Sequence, residues 1–134
     1  GLIREKKATV RFHVLSFLGD ESVRAANASF CAANEGQYLD FHHALYAVQS
    51  SLENSGFWSN EKLVSIGKKI GIDSAKFADC VTKGSQITLV KTNYESMSKF
   101  GVKGTPTVFI DGKLWERKSS DFNADEFRAA VEGK

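Results

Sequence analysis

The sequence predicts an α/β fold in the order strand, several helices, β-hairpin, helix, and three features carry that order. Residues 8–18 alternate and then become almost wholly apolar, residues 20–101 hold apolar stripes at helical spacing, and a Pro-led run at 106–115 reads as a hairpin. A chain of 134 residues, 42% hydrophobic, suits one domain with its own core, anchored by ten Phe, two Trp and three Tyr. The formal charge is only +2, with both signs interspersed, which argues against a nucleic-acid partner. Lys6-Lys7 and Lys68-Lys69 read as solvated faces. No segment approaches the roughly 20 apolar residues of a membrane helix, so no membrane span is expected. No linker or repeat divides residues 1–134, which are expected to form a single domain with a helical insertion at about 20–100.

Along the chain, Val10, Phe12 and Val14 alternate with Arg11 and His13, and Leu15-Ser16-Phe17-Leu18 follows. That pattern predicts a strand that becomes buried on both faces. Gly19-Asp20 ends it, with Asp20 as N-cap of a helix through about residue 34, and Gly36 breaks that helix. Tyr38, Phe41, Leu45 and Val48 form the stripe of the next helix. Ser59 caps a third, with Leu63, Ile66 and Ile70 inward and Gly71 as its C′ residue. Asp73 starts a short helix through Phe77 and Cys80 to Gly84; Ser85 starts a longer one striped by Ile87, Val90, Tyr94 and Met97 and closed by Gly101. Asn123-Ala124-Asp125-Glu126 is a capping box, stapled by Phe122 and Phe127, before a last helix through Val131.

Pro106 is the only proline, and its fixed φ and missing N–H confine it to a strand start, an edge or a special turn. Val108 and Ile110 alternate with Thr107 and Phe109; Asp111-Gly112 is a two-residue turn signal, and Lys113, Leu114 and Trp115 return as the second strand. Spacing alone does not choose between cis and trans at Pro106.

Thiol–disulfide exchange needs an accessible thiolate of lowered pKa, which a helix N-terminus helps to supply. Cys31 falls deep in its predicted helix and Cys80 towards the C-terminal end of another, so neither reads as a nucleophile and no catalytic residue is assigned. They are either unrelated buried thiols or a structural bond. Two cysteines this far apart lack metal-finger spacing, so no metal site is expected. Adjacent His42 and His43 point about 100° apart on a helix and cannot grip one ion together. His42, beside the Tyr38–Leu45 stripe, reads as a packed histidine.

The run Phe100-Gly101-Val102-Lys103-Gly104-Thr105-Pro106-Thr107-Val108-Phe109-Ile110-Asp111-Gly112-Lys113 resembles the cis-proline loop and hairpin of thioredoxin-fold proteins. The stretch Ala28-Ser29-Phe30-Cys31 through Tyr46 is similar to the inserted helical domain of DsbA-like disulfide oxidoreductases. On that resemblance the fold is a thioredoxin-like core with helices inserted after its second strand, lacking the opening strand and the Cys-x-x-Cys of the first helix. It implies that Thr105 and Pro106, with Gly104 lending backbone freedom, form a wall of the substrate groove. It also implies a Cys31–Cys80 disulfide between insert helices, as in some actinobacterial members, and hence an oxidising, extracytoplasmic setting.

The expected function is therefore part of an extracytoplasmic thiol–disulfide oxidoreductase that forms or isomerises disulfides in secreted proteins. The chain would keep the substrate groove without the reactive dithiol, and no cofactor is expected. Its partners would be extended or unfolded secreted polypeptides. Without the opening strand the sheet would have an uncovered edge, which another copy of the chain, strand exchange or rearranged packing is expected to fill. A non-catalytic polypeptide-binding module and, more remotely, a glutathione-transferase relative are the competing readings.

Overall fold

The computed structural model describes residues 2–119 and 121–133. It separates into two compact units, Val14–Met97 and the combination of Gly1–His13 with Ser98–Lys134.

The first unit is helical: α1 (Asp20–Asn34), α2 (Tyr38–Ala47), α3 (Asn60–Lys69), α4 (Ala75–Lys83) and most of α5 (Ile87–Lys99). Helix α1 packs against α2, α3 and α4. Its inward face is small, so neighbouring backbones approach closely: Ala28, Cys31 and Ala32 join Phe41 and Leu45 of α2, Leu63 and Ile66 of α3, Ile72, and Phe77 and Val81 of α4 in one core. Phe41 meets Phe77 edge-on, with ring centroids 5.7 Å apart, a favoured aromatic geometry.

The helix ends follow from local chemistry. The Ser59 hydroxyl accepts from the Lys62 amide and opens α3. At the other end Gly71 lies at φ +91°, its N–H donates to Lys68 O, and the Ile72 N–H reaches back to Gly67 O. This is a Schellman closure, and it tucks Ile72 into the core. Two expected caps move by one residue. Asp20 is the first residue of α1, with Gly19 as its N-cap, so its carboxylate faces the helix dipole without capping an amide. Helix α4 starts after Ser74, whose hydroxyl accepts from Phe77 N; Asp73 instead pairs with Lys68 at 3.3 Å.

Asn27, only 2% exposed and in mid-helix, ties α1 to the α4–α5 junction. Its Nδ2 donates to Val81 O at 3.2 Å and its Oδ1 accepts from Gln86 N at 2.9 Å. Replacing it by Ala strands both backbone groups, so Asn27→Ala should cost about 1–3 kcal/mol in denaturant unfolding.

The second unit holds the hairpin β1 (Phe109–Ile110) and β2 (Lys113–Leu114), then α6 (Ala124–Val131). The strands pair antiparallel, Phe109 opposite Leu114 and Ile110 opposite Lys113. Asp111 at φ +49° and Gly112 at φ +79° make the two-residue turn that the right-handed strand twist favours. Asn123 caps α6 by accepting from Asp125 N and Glu126 N. Phe122 and Phe127 face each other at 6.0 Å, and Trp115 packs edge-on against both.

The expected strand at 8–18 does not form: these residues carry no strand assignment, and Val10, Phe12, Phe17 and Leu18 are each more than 40% exposed. Strand structure requires a neighbour to complete its ladder, and no described segment pairs with this one. The sheet is accordingly the hairpin alone among the described residues. Two stripe positions also turn outward, Val48 beyond the end of α2 and Tyr94 on α5.

Candidate functional site

The loop that carries the expected groove residues leads straight into the hairpin. Gly104, Thr105 and Pro106 are all exposed, and the Thr105–Pro106 peptide bond is cis. The Thr107 hydroxyl donates to Gly104 O at 2.5 Å and closes the loop on itself. Beyond β1 and β2 the ladder gains one more bond, from Trp115 N to Val108 O at 2.9 Å. Gly104 does not use its expected freedom: it lies outside the left-handed region, and a Cβ there would meet nothing within 4 Å.

Beside this loop lies an open cleft of about 110 Å³. Its lining is mixed: Pro106, Val108, Leu114, Trp115 and Phe122 contribute apolar side chains, and Thr107, Arg117 and backbone atoms make the exposed surface at least as polar as apolar. Arg117 escaped the sequence reading. No periodic signal marks it, because β2 ends at Leu114 and residues 115–117 are in no regular element.

Electrostatics next to the cleft centre on Glu126. Its carboxylate accepts from the Lys118 N–H at 2.6 Å and from the Ser119 hydroxyl at 2.8 Å, so it pins the segment leading to α6 and is not returned to the Asn123 amide. The Lys118 N–H above all, then the Ser119 hydroxyl, holds this carboxyl below its ordinary value. A depressed carboxyl contributes at pH above its unfolded value, about 4.3, and that contribution is lost as pH falls through the lower folded value. Acidification below about pH 4.3 should therefore broaden the amide resonances of residues 118–126 before those of the helical core.

The two cysteines lie in the helical unit and are bonded to each other, Cys31 of α1 to Cys80 of α4, with Cα atoms 5.8 Å apart. Cys31 is 1% exposed and no free cysteine remains. His42 is half-buried between Tyr38 and Tyr46, with ring centroids 5.8 and 4.8 Å away. Desolvation first, and His43 second, push its pKa below the ordinary histidine value. No cluster of metal-ligating side chains occurs among the described residues, and no helix among them is long and apolar enough to cross a membrane.

A hairpin entered through an exposed cis-proline loop, in a chain that also carries a helical unit closed by a disulfide, is consistent with a thioredoxin-like domain that is mostly helical. A family model described as Thioredoxin matches residues 2–132, and the chain belongs to the thioredoxin family. Membership points to a redox or disulfide-related role. Among curated proteins, the serine/threonine-protein kinase PknE of Mycobacterium tuberculosis is 26% identical over 127 residues, covering 84% of this chain and 22% of the kinase. The Mycobacterium bovis PknE matches equally, at 26% over 127 residues. The Na(+)/H(+) antiporter NhaA of Herminiimonas arsenicoxydans is 27% identical over 108 residues, covering 81% of this chain and 16% of the antiporter. The chain thus spans about a fifth of the length of the curated relatives it matches. No solved structure gives a significant match.

Proposed function

We propose that this chain is the polypeptide-recognition part of a DsbA-like, extracytoplasmic thiol–disulfide oxidoreductase, with its reactive dithiol outside residues 1–134. Gly104, Thr105 and Pro106 form the wall of the groove that receives an extended secreted polypeptide. One observation carries this reading: in a thioredoxin-family chain, both thiols are consumed in a bond whose Cys31 half is buried, while the cis-proline loop is exposed and a cleft of mixed lining lies beside it. Exchange requires an accessible thiolate, and the bonded pair supplies none. The bond itself suits an oxidising compartment.

The test is an insulin-reduction and dithiol-oxidation assay. Residues 1–134 should show no turnover above the thiol background, and an extended chain carrying an upstream Cys-x-x-Cys should show it. Turnover by residues 1–134 that disappears in Cys31→Ser would refute the proposal.

A second reading, a non-catalytic polypeptide-binding module, is favoured by the relatives. The matched segment is about a fifth or less of proteins named as a kinase and an antiporter, as expected of a domain carried within larger chains. An upstream opening strand without cysteines would select this reading. Either way, the sheet edge left uncovered beside the hairpin is where a second copy or an exchanged strand would add.

A further inference from the structure

We infer that residues 9–15 pair with the same residues of a second copy of this chain, as two antiparallel strands related by a two-fold axis through Phe12. This segment is separate from the groove at Pro106, and the inference does not depend on that groove.

The backbone supplies the first reason. Among the described residues, 8–17 take part in no backbone–backbone hydrogen bond, so a run of N–H and C=O groups is left to water. An edge of that kind is a template for another extended chain. The side chains supply the second reason. In an extended strand Val10, Phe12 and Val14 fall on one side, and Thr9, Arg11 and His13 on the other. Val10 and Phe12 are 50% and 44% exposed. Both belong to the second unit, and no described residue of that unit is buried, so it closes no core around them.

Self-complementarity singles out a second copy and one register. Antiparallel pairing of identical strands is isologous, so every contact occurs twice. Centred on Phe12, it sets Phe12 opposite Phe12, Val10 opposite Val14 and Arg11 opposite His13, and apolar meets apolar on one face. Centring on Arg11 would set two guanidinium groups directly opposite each other, which is destabilising. Centring on Val10 would leave Phe12 opposite Ala8 and lose the aromatic pair. A one-residue slip would put apolar side chains opposite polar ones. Ser16 is 8% exposed, which ends the ladder at Leu15, and so short a ladder gives weak association.

Sedimentation equilibrium of the whole chain between about 10 µM and about 1 mM reads the pairing, with a dissociation constant expected on the order of 0.1 mM. Phe12→Lys places two ammonium groups at the centre and should weaken the dimer at least about tenfold. His13→Glu places a carboxylate opposite each Arg11 and should tighten it about two- to tenfold. In a mixture of labelled and unlabelled copies, isotope-filtered NOEs should join Phe12 to Phe12 and Val10 to Val14. The His13→Glu gain and these NOEs decide the matter even if Phe12→Lys fails to fold. A monomer at every concentration, or a dimer indifferent to His13→Glu and lacking those NOEs, would overturn the inference.

Discussion

Reducing the Cys31–Cys80 bond should lower the thermal midpoint of the helical unit by roughly 10–20 °C. The bond links α1 to α4 across a sequence separation of 49. In the chain-entropy treatment, a cross-link over a loop of that size removes about 4 kcal/mol of unfolded-state freedom. Stabilities of single domains are about 5–15 kcal/mol, so the loss is a large share of the total. For a domain of this size each kcal/mol shifts the midpoint by about 3–5 °C. Calorimetric scans with and without reductant, alongside the Cys31→Ala/Cys80→Ala double variant, measure the effect. The double variant should behave like the reduced protein. Equal midpoints in all three would show that α1 and α4 are held by packing alone.

Phe77→Ala should cost about 3–5 kcal/mol, the usual range for emptying a buried aromatic site. Phe77 is 1% exposed, meets Phe41 edge-on, and lies in the cluster that joins α2, α3 and α4. Gly67 of α3 supplies a sharper test of the same packing. In an open helix interior, Gly to Ala gains about 1 kcal/mol. Here a Cβ on Gly67 would stand inside contact distance of the Phe77 ring, which is enclosed and has nowhere to swing. Gly67→Ala should therefore destabilise, by about 1–3 kcal/mol, through overpacking. In a Phe77→Leu background the ring atoms are gone, and the same change should cost less or become favourable. Urea unfolding of the four proteins gives the coupling, expected at about 0.5–3 kcal/mol. Additive costs would contradict the contact.

The elements legible in the sequence are those whose causes are local. Ser59, Gly71, the Asp111-Gly112 turn and Asn123 with its Phe122–Phe127 staple lie where their chemistry places them. The one-residue shifts at Gly19 and Ser74 arise where two capping candidates stand side by side. The segment 8–18 was misread because alternation signals a half-buried strand only when a neighbour completes the ladder, and that neighbour is not local information. Asn27 was passed over for the same reason: a polar residue in mid-helix gives no hint that its partners, Val81 and Gln86, are more than fifty residues away. Cysteine spacing left the Cys31–Cys80 pairing open, and only family resemblance favoured the bond that the structure contains. At the site, the Thr105–Pro106 loop announced itself through a lone proline before a hairpin. Arg117 did not, because nothing in the local sequence shows that an exposed arginine after a strand lines the cleft beside Pro106.

The proposed recognition of polypeptide through the Pro106 loop, without thiol chemistry at Cys31 or Cys80, is open to direct measurement. The most direct measurement is an amide-shift map on adding a reduced, carboxymethylated and therefore unfolded secreted protein, paired with intact mass after incubation with an unblocked one. The expected result is shifts confined to residues 104–122, none around Cys31 or Cys80, and no mixed disulfide. Shifts centred on the helical unit, or a covalent adduct at Cys31 or Cys80, would contradict it.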